Sequence, residues 1–207
     1  MNDLELFLYL APILVASLVL HELAHGYVAT RLGDPTPREQ GRLTLNPIVH
    51  LDPLGTTMFV VTYFLSSFIF GWAKPVQVQP GYFRRPKQAM ALVAAAGPAV
   101  NFALAIVCVA LLVHMEFGEK TTNVLVRSYE VNLILGIFNL LPIPPLDGSR
   151  IVGALMTDDL YTRWSAVDQY GILILFGVII LFRPQFNEVL GTAFQHSTDV
   201  MVTLVGG

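Results

Sequence analysis

Cysteine is nearly absent: the single thiol, Cys108, lies in an apolar run, which excludes an internal disulfide and a Cys-x-x-Cys metal site. Charge is scarce as well. Only 13% of the 207 residues are charged, against roughly 25% in an average soluble domain, so a soluble reading is poor. Twelve Lys and Arg against fifteen Asp and Glu give a net charge of −3, spread along the chain with no basic patch for nucleic acid. There is no internal repeat and no low-complexity segment. No cleavable signal peptide is expected, because "MNDLE" is acidic and the apolar run after it continues unbroken. Hydrophobic side chains are plentiful, at 54% of residues with a mean hydropathy of +0.61. This length holds one domain of several membrane spans of about 20 residues each.

Five apolar segments and a mixed tail follow along the chain. Helix 1 is expected from about Leu4 to Leu32, stopped by Gly33 and "DPTP". In "REQGRLTLNPIVHLDPLG", Gly41, Pro47, Pro53 and Gly55 punctuate the alternating Arg42, Leu43, Thr44 and Leu45, a pattern of extended chain or a hairpin. The run 56–70 is short for a span. In "GWAKPVQVQPGYFRRPK", Val76, Gln77 and Val78 alternate like a strand between prolines. Long apolar runs cover about 88–113, 129–156 and 170–182, and the tail 184–207 reads as a surface helix. The fold expected is an all-α polytopic membrane protein of five to six transmembrane segments, with a re-entrant or extended β-like insertion between the first and third helices. It forms a single integral membrane domain over 1–207, with its core at about 4–156, an extra helix at 165–183 and the tail beyond.

Lys and Arg in short loops favour the cytoplasmic side. Arg31, Arg38 and Arg42 follow helix 1, and Lys74, Arg84, Arg85 and Lys87 precede the 88–113 helix, whereas the segment 114–128 carries two cations. Helix 1 therefore runs from outside to cytoplasm, the 88–113 helix returns, and the helix from about 129 comes back in. The chain between Arg42 and Arg84 must enter and leave on one side. Irregular backbone at membrane depth is tolerated only where it lines protein or a wet cavity, so a cavity is expected beside helix 1.

Helix 1 carries His21-Glu22-Leu23-Ala24-His25. Residues four apart share a helix face, so both imidazoles can ligate one zinc, and Glu22 beside them can take a proton from water activated there. A polar seam of two hydrogen-bonded histidines is the alternative, though ionisable groups at such depth are costly. Catalytic zinc normally has three protein ligands. Arg31 stands where a third motif histidine would fall, leaving two candidates. Glu39 lies in a polar stretch beyond the helix end. Asp147 lies in "FNLLPIPPLDGSR", and depth favours it: about 26 Å of helix separates Leu4 from His21, and about 27 Å separates Tyr129 from Asp147. A turn or helix-capping Asp before Gly148 is the bland reading of the same residue.

These residues resemble the site-two proteases, zinc metalloproteases that cleave within the membrane. HELAH, "GPAVN" at Gly97 to Asn101 and "NLLPIPPLDG" at Asn139 to Gly148 are similar to that family's three hallmarks, in order. "NPIVHLDPLGT" and "GWAKPVQVQP" resemble a compact prokaryotic branch. The resemblance covers about 13–155. It implies His21, His25 and Asp147 as ligands of one Zn2+ per chain, Glu22 as catalytic base, and Asn139 as a polar group near the reacting carbonyl. It implies a multi-pass protein of the prokaryotic plasma membrane that cleaves single-span membrane proteins within the lipid bilayer, and the loop cations set the active site toward the cytoplasm. There is no room for a PDZ or CBS domain.

Of the remaining polar residues, Asn101 reads as a bridge between helices; His50 is read either as lining the cavity or, more plainly, as a solvated loop histidine, the latter favoured. His114 and His196 receive no role. A substrate must be unwound before cleavage, and "KPVQVQ" offers a strand edge that can hold extended peptide by main-chain hydrogen bonds. The rival reading is a non-proteolytic membrane zinc transporter or scaffold. It is disfavoured because intramembrane ionisable residues cluster only toward one side.

Overall fold

The computed structural model describes residues 3–65 and 70–206. Its centre is three helices. α1 (Asp3–Arg31) and α4 (Pro86–His114) have 29 residues each, about 43 Å of helix, more than the roughly 30 Å of hydrocarbon in a bilayer. α5 (Glu119–Asn139) follows α4 after a four-residue connection, and so short a link makes antiparallel neighbours. His25 meets Val93 while His21 meets Asn101, so α1 is antiparallel to α4. It follows that α1 and α5 run in the same direction.

The helix expected from about 129 begins instead at Glu119. Its first two turns, "EKTTNVLV", are polar or mixed but compatible with helix. Hydropathy reports where a helix meets lipid rather than where it starts. The same apolar run breaks after Asn139. Pro142, Pro144 and Pro145 lack the N–H a helix needs, and turn bonds such as Ile143 N to Leu141 O (2.8 Å) and Leu146 N to Ile143 O (2.9 Å) satisfy the intervening backbone. Asp147 then opens α6 (Asp147–Gly153).

The insertion between α1 and α4 departs from the expected hairpin. It comprises α2 (Thr36–Glu39), a single 3-10 turn at Pro47–Val49, α3 (Pro53–Leu65), extended chain from 70 and a second 3-10 turn at Pro80–Tyr82. No β-strand occurs among the described residues, and the two limbs touch through one isolated antiparallel bridge, Leu51 with Ala73. Arg42 does not alternate outward. It is buried and donates to the Val49 carbonyl, bending the chain that a ladder would need straight. α3, about 20 Å long, is shorter than a span, and residues 66–69 of the expected 56–70 run lie outside the described residues. Gly55 lets α3 lie against the returning limb: a Cβ there would fall 2.2 Å from the Trp72 carbonyl oxygen.

Beyond α6 come α7 (Asp158–Ala166), the turn Val167–Tyr170, α8 (Gly171–Leu181) and α9 (Arg183–Gly206). Among the described residues, three helical stretches are long and apolar enough to cross a membrane: Leu4–Arg31, Pro86–His114 and Asp158–Leu181. The tail helix α9 is docked, with Met201 buried among Ala105, Val109, Tyr129 and Leu133 of α4 and α5. Lipid is as apolar as these side chains, so close packing and interhelical hydrogen bonds hold this bundle more than expulsion from water does.

Candidate metal centre

Three side chains from two elements converge on one point. His21 and His25 project from one face of α1, four residues apart. Asp147 arrives at the start of α6, where the proline break ends. The Nε2 atoms of the two histidines are 3.0 Å apart, and Asp147 Oδ2 lies 3.2 Å from that of His21 and 3.3 Å from that of His25. Both histidines are buried. The N-cap of α6 is Leu146, which makes no side-chain capping bond, and the Asp147 carboxylate faces the imidazoles.

The outward ring nitrogens explain how the inward ones are presented. His25 Nδ1 donates to the Val93 carbonyl of α4 at 2.7 Å. His21 Nδ1 donates to Asn101 Oδ1 at 2.6 Å. Asn101, itself fully buried, donates through Nδ2 to Asn132 Oδ1 at 2.9 Å, and Asn132 Nδ2 donates to the Ser128 carbonyl at 2.8 Å. Each neutral imidazole with its proton on Nδ1 leaves a lone pair on Nε2. Two such lone pairs and a carboxylate oxygen therefore face one another.

That donor set fits a zinc ion. Asp147 Oδ2 is buried with no hydrogen-bond partner among the described residues, an expensive state for a charged oxygen that a cation would relieve. For bonds of about 2.0 Å the edges of a tetrahedron are about 3.3 Å, close to the separations seen. Gly97 keeps the space open: a Cβ there would lie 2.5 Å from Nε2 of both His21 and His25. His21, His25 and Asp147 are the group of potential ligands found among the described residues. Glu39, the other formal candidate, lies exposed at the end of α2 and outside this group.

Glu22 and Asn139 line the same cleft, of about 530 Å³, together with Pro75, Val76 and Arg150. Glu22 Oε2 accepts from the Val76 N–H at 2.8 Å. Asn139 Nδ2 donates to the Leu135 carbonyl of its own helix at 3.0 Å and makes no bridge between helices in this arrangement. The extended chain is also tied down on either side of the Val76–Glu22 bond to α1. Lys74 N–H donates to the His50 carbonyl at 2.8 Å, and Gln79 N–H donates to Asp34 Oδ2 at 2.7 Å.

Several residues differ from their sequence reading. Asn101 bridges helices as expected, but it also orients His21. The "GPAVN" motif could have disclosed that only through its partner on α1. His50 is 1% exposed rather than solvated, because the Leu51–Ala73 bridge folds the returning limb over it. Asp34, one residue of a turn signal in sequence, is fully buried and also accepts the Thr36 N–H at 2.9 Å.

A helical, membrane-spanning chain that gathers two histidines and an aspartate beside a glutamate has the constitution of a membrane metalloprotease. The sequence profile of peptidase family M50 matches residues 9–130 and 114–183. The chain is 37% identical over 210 residues to "Putative zinc metalloprotease YwhC" of Bacillus subtilis, covering 97% of this chain and 92% of that protein. It is 29% identical over 181 residues to "Putative zinc metalloprotease Rip2" of Mycolicibacterium smegmatis (83% and 66%). It is 29% identical over 160 residues to "Zinc metalloprotease MJ0392" of Methanocaldococcus jannaschii (76% and 37%). The chain thus spans nearly all of the first relative but only part of the other two. No solved structure gives a significant match. The chain belongs to peptidase family M50 and is a zinc metalloprotease of the site-two type.

Proposed function

We propose that this protein hydrolyses peptide bonds in or near the transmembrane segments of single-span membrane proteins. His21, His25 and Asp147 hold one zinc per chain, and Glu22 acts as the general base. The observation that carries the reading is the meeting of two imidazole Nε2 atoms and an unpartnered carboxylate oxygen, with Glu22 beside them in one cleft. Zinc bound there supplies Lewis acidity, favouring ionisation of water and polarising the scissile carbonyl. Glu22 takes the proton of the attacking water and delivers it to the departing amine nitrogen as the C–N bond breaks. The Asn139 side chain turns from the Leu135 carbonyl to donate to the oxygen on which negative charge develops.

The same proposal covers the setting. Arg31, Arg38 and Arg42 at or after the end of α1, and Lys74, Arg84, Arg85 and Lys87 before or at the start of α4, support an orientation with the cleft toward the cytoplasmic face of a prokaryotic plasma membrane. The whole chain acts as one membrane-embedded domain. Its five to six transmembrane segments comprise the three long apolar stretches supplemented by α5 and α9, with α3 and the 70–79 limb entering and leaving on one side. The 74–79 limb guides unwound substrate toward Glu22 by its main chain.

The deciding experiment is Glu22→Gln. That variant keeps size and hydrogen-bonding capacity but removes the base. Cleavage of a membrane-embedded substrate should fall by about 10² to 10⁴, with zinc content unchanged on the same sample. Cleavage at the unmodified rate with zinc bound would refute the mechanism. A transporter or scaffold would be indifferent to the change.

A further inference from the structure

A second cavity, of about 410 Å³ and walled almost wholly by apolar side chains, lies between α1, α3 and α5. Its walls are the direct continuation of those of the metal cleft. On α1, Leu10 to Val19 line the apolar cavity and His21 to His25 the cleft; on the returning limb, Gly71 to Ala73 line the first and Pro75 to Pro80 the second. On α5, Val131 to Leu135 are followed by Asn139 in the cleft. Three elements thus carry both cavities in the same order, so the two lie one after the other along the bundle. Among the few polar side chains of this apolar wall, which include Thr56, Tyr63 and Trp72, is His50. Its Nε2 donates to the Thr44 carbonyl at 2.9 Å, which leaves Nδ1 an acceptor. That atom is buried with no partner among the described residues.

We infer that this cavity is a substrate subsite. It takes the apolar, membrane-embedded part of the substrate on the outer side of the scissile bond, and His50 Nδ1 accepts a hydrogen bond from a main-chain N–H freed when that part unwinds. The inference rests on the proteolytic reading for its direction, because the next space along the bundle is the cleft that holds Glu22. The chemistry of the occupant follows from the wall. Apolar side chains suit a membrane segment, and an unwound backbone in an apolar space must find acceptors for its N–H groups. A lone buried acceptor fits a donor of that kind, whereas a lipid acyl chain offers none.

The test uses the full-length Glu22→Gln protein in phosphatidylethanolamine/phosphatidylglycerol vesicles. The probe is a synthetic single-span Leu-Ala peptide with a central Gly-Pro break and lysine flanks. A photo-cross-linking residue replaces Ile134 at the exposed mouth of the cavity, or Val107 on the exposed face of α4 as control. Labelling from position 134 should exceed that from 107 several-fold and collapse when Leu14→Trp fills the cavity. His50→Phe should reduce it about three- to tenfold, the size of one lost buried hydrogen bond, and leave an unbroken Leu-Ala peptide unaffected. Equal labelling from both positions, or labelling indifferent to Leu14→Trp, overturns the subsite and points to a lipid-filled space. Indifference to His50→Phe overturns the role of that residue. Cleavage by the unmodified protein is scored separately: cleavage without labelling at 134 sinks the subsite alone, and labelling without cleavage sinks the protease reading alone.

Discussion

At the residue scale the proposed metal centre depends on a histidine whose orientation is set from outside the cluster. Asn101 fixes His21 through Nδ1, and Asn132 fixes Asn101. Partners that hold the second nitrogen of a ligating histidine typically contribute about 10- to 100-fold in metal affinity. Asn101→Ala should therefore weaken zinc binding by about that factor, measured by competition with a chromogenic chelator. Asn132→Ala, one bond further out, should show a smaller loss. Equal zinc affinity in Asn101→Ala and unmodified protein would remove Asn101 from any positioning role. How much of this was legible in sequence depends on the separation of the residues. His21, Glu22 and His25 declare themselves by spacing on one helix. Asp147 followed from depth along two parallel helices. The Asn101–Asn132 link joins residues of two different helices to a third, and no local pattern marks it.

At the element scale the informative piece is the extended limb 70–79. Its alternation suggested a hairpin, yet it pairs at one point only and is otherwise held by Glu22 of α1, by Asp34 beyond that helix and by the 47–50 loop. Asp34 holds its far end through the Gln79 N–H, a charge-assisted bond of the kind worth roughly 1.5–3 kcal/mol. Asp34→Asn keeps the shape of the side chain but weakens that tie. The 74–85 stretch should then be nicked faster by an added protease, while the bundle of α1, α4 and α5 stays intact by circular dichroism. Unchanged digestion would mean that Gly55 against Trp72 and the Val76–Glu22 bond suffice to hold the limb. Sequence patterns mark extended backbone well. They do not distinguish a strand whose N–H groups meet another strand from one whose N–H groups meet carboxylates.

For the whole molecule, the parallel course of α1 and α5 lets one face of the membrane hold both halves of the site. Reporter tags test the proposed orientation. A tag in the 115–118 connection should be reachable from outside intact cells, and tags near Gln79 or at Thr157 only after the membrane is opened. Tags at 118 and 79 reporting the same side would contradict it.

Composition alone determined that this chain belongs in a membrane, because so few charges cannot clothe a water-soluble surface. Spacing determined that His21 and His25 look the same way from the HELAH helix, since residues four apart share a face whatever surrounds them. Prolines determined that the 129–156 run would break. Only the tertiary structure decided what lies opposite each of these. It brings Asp147 within 3.3 Å of both imidazoles, buries His50 beneath the returning limb, and turns Asp34 from a turn former into an anchor. Periodicity is a property of one segment, whereas a ligand set, a buried acceptor and an anchored loop are each made by segments that meet only when the helices pack.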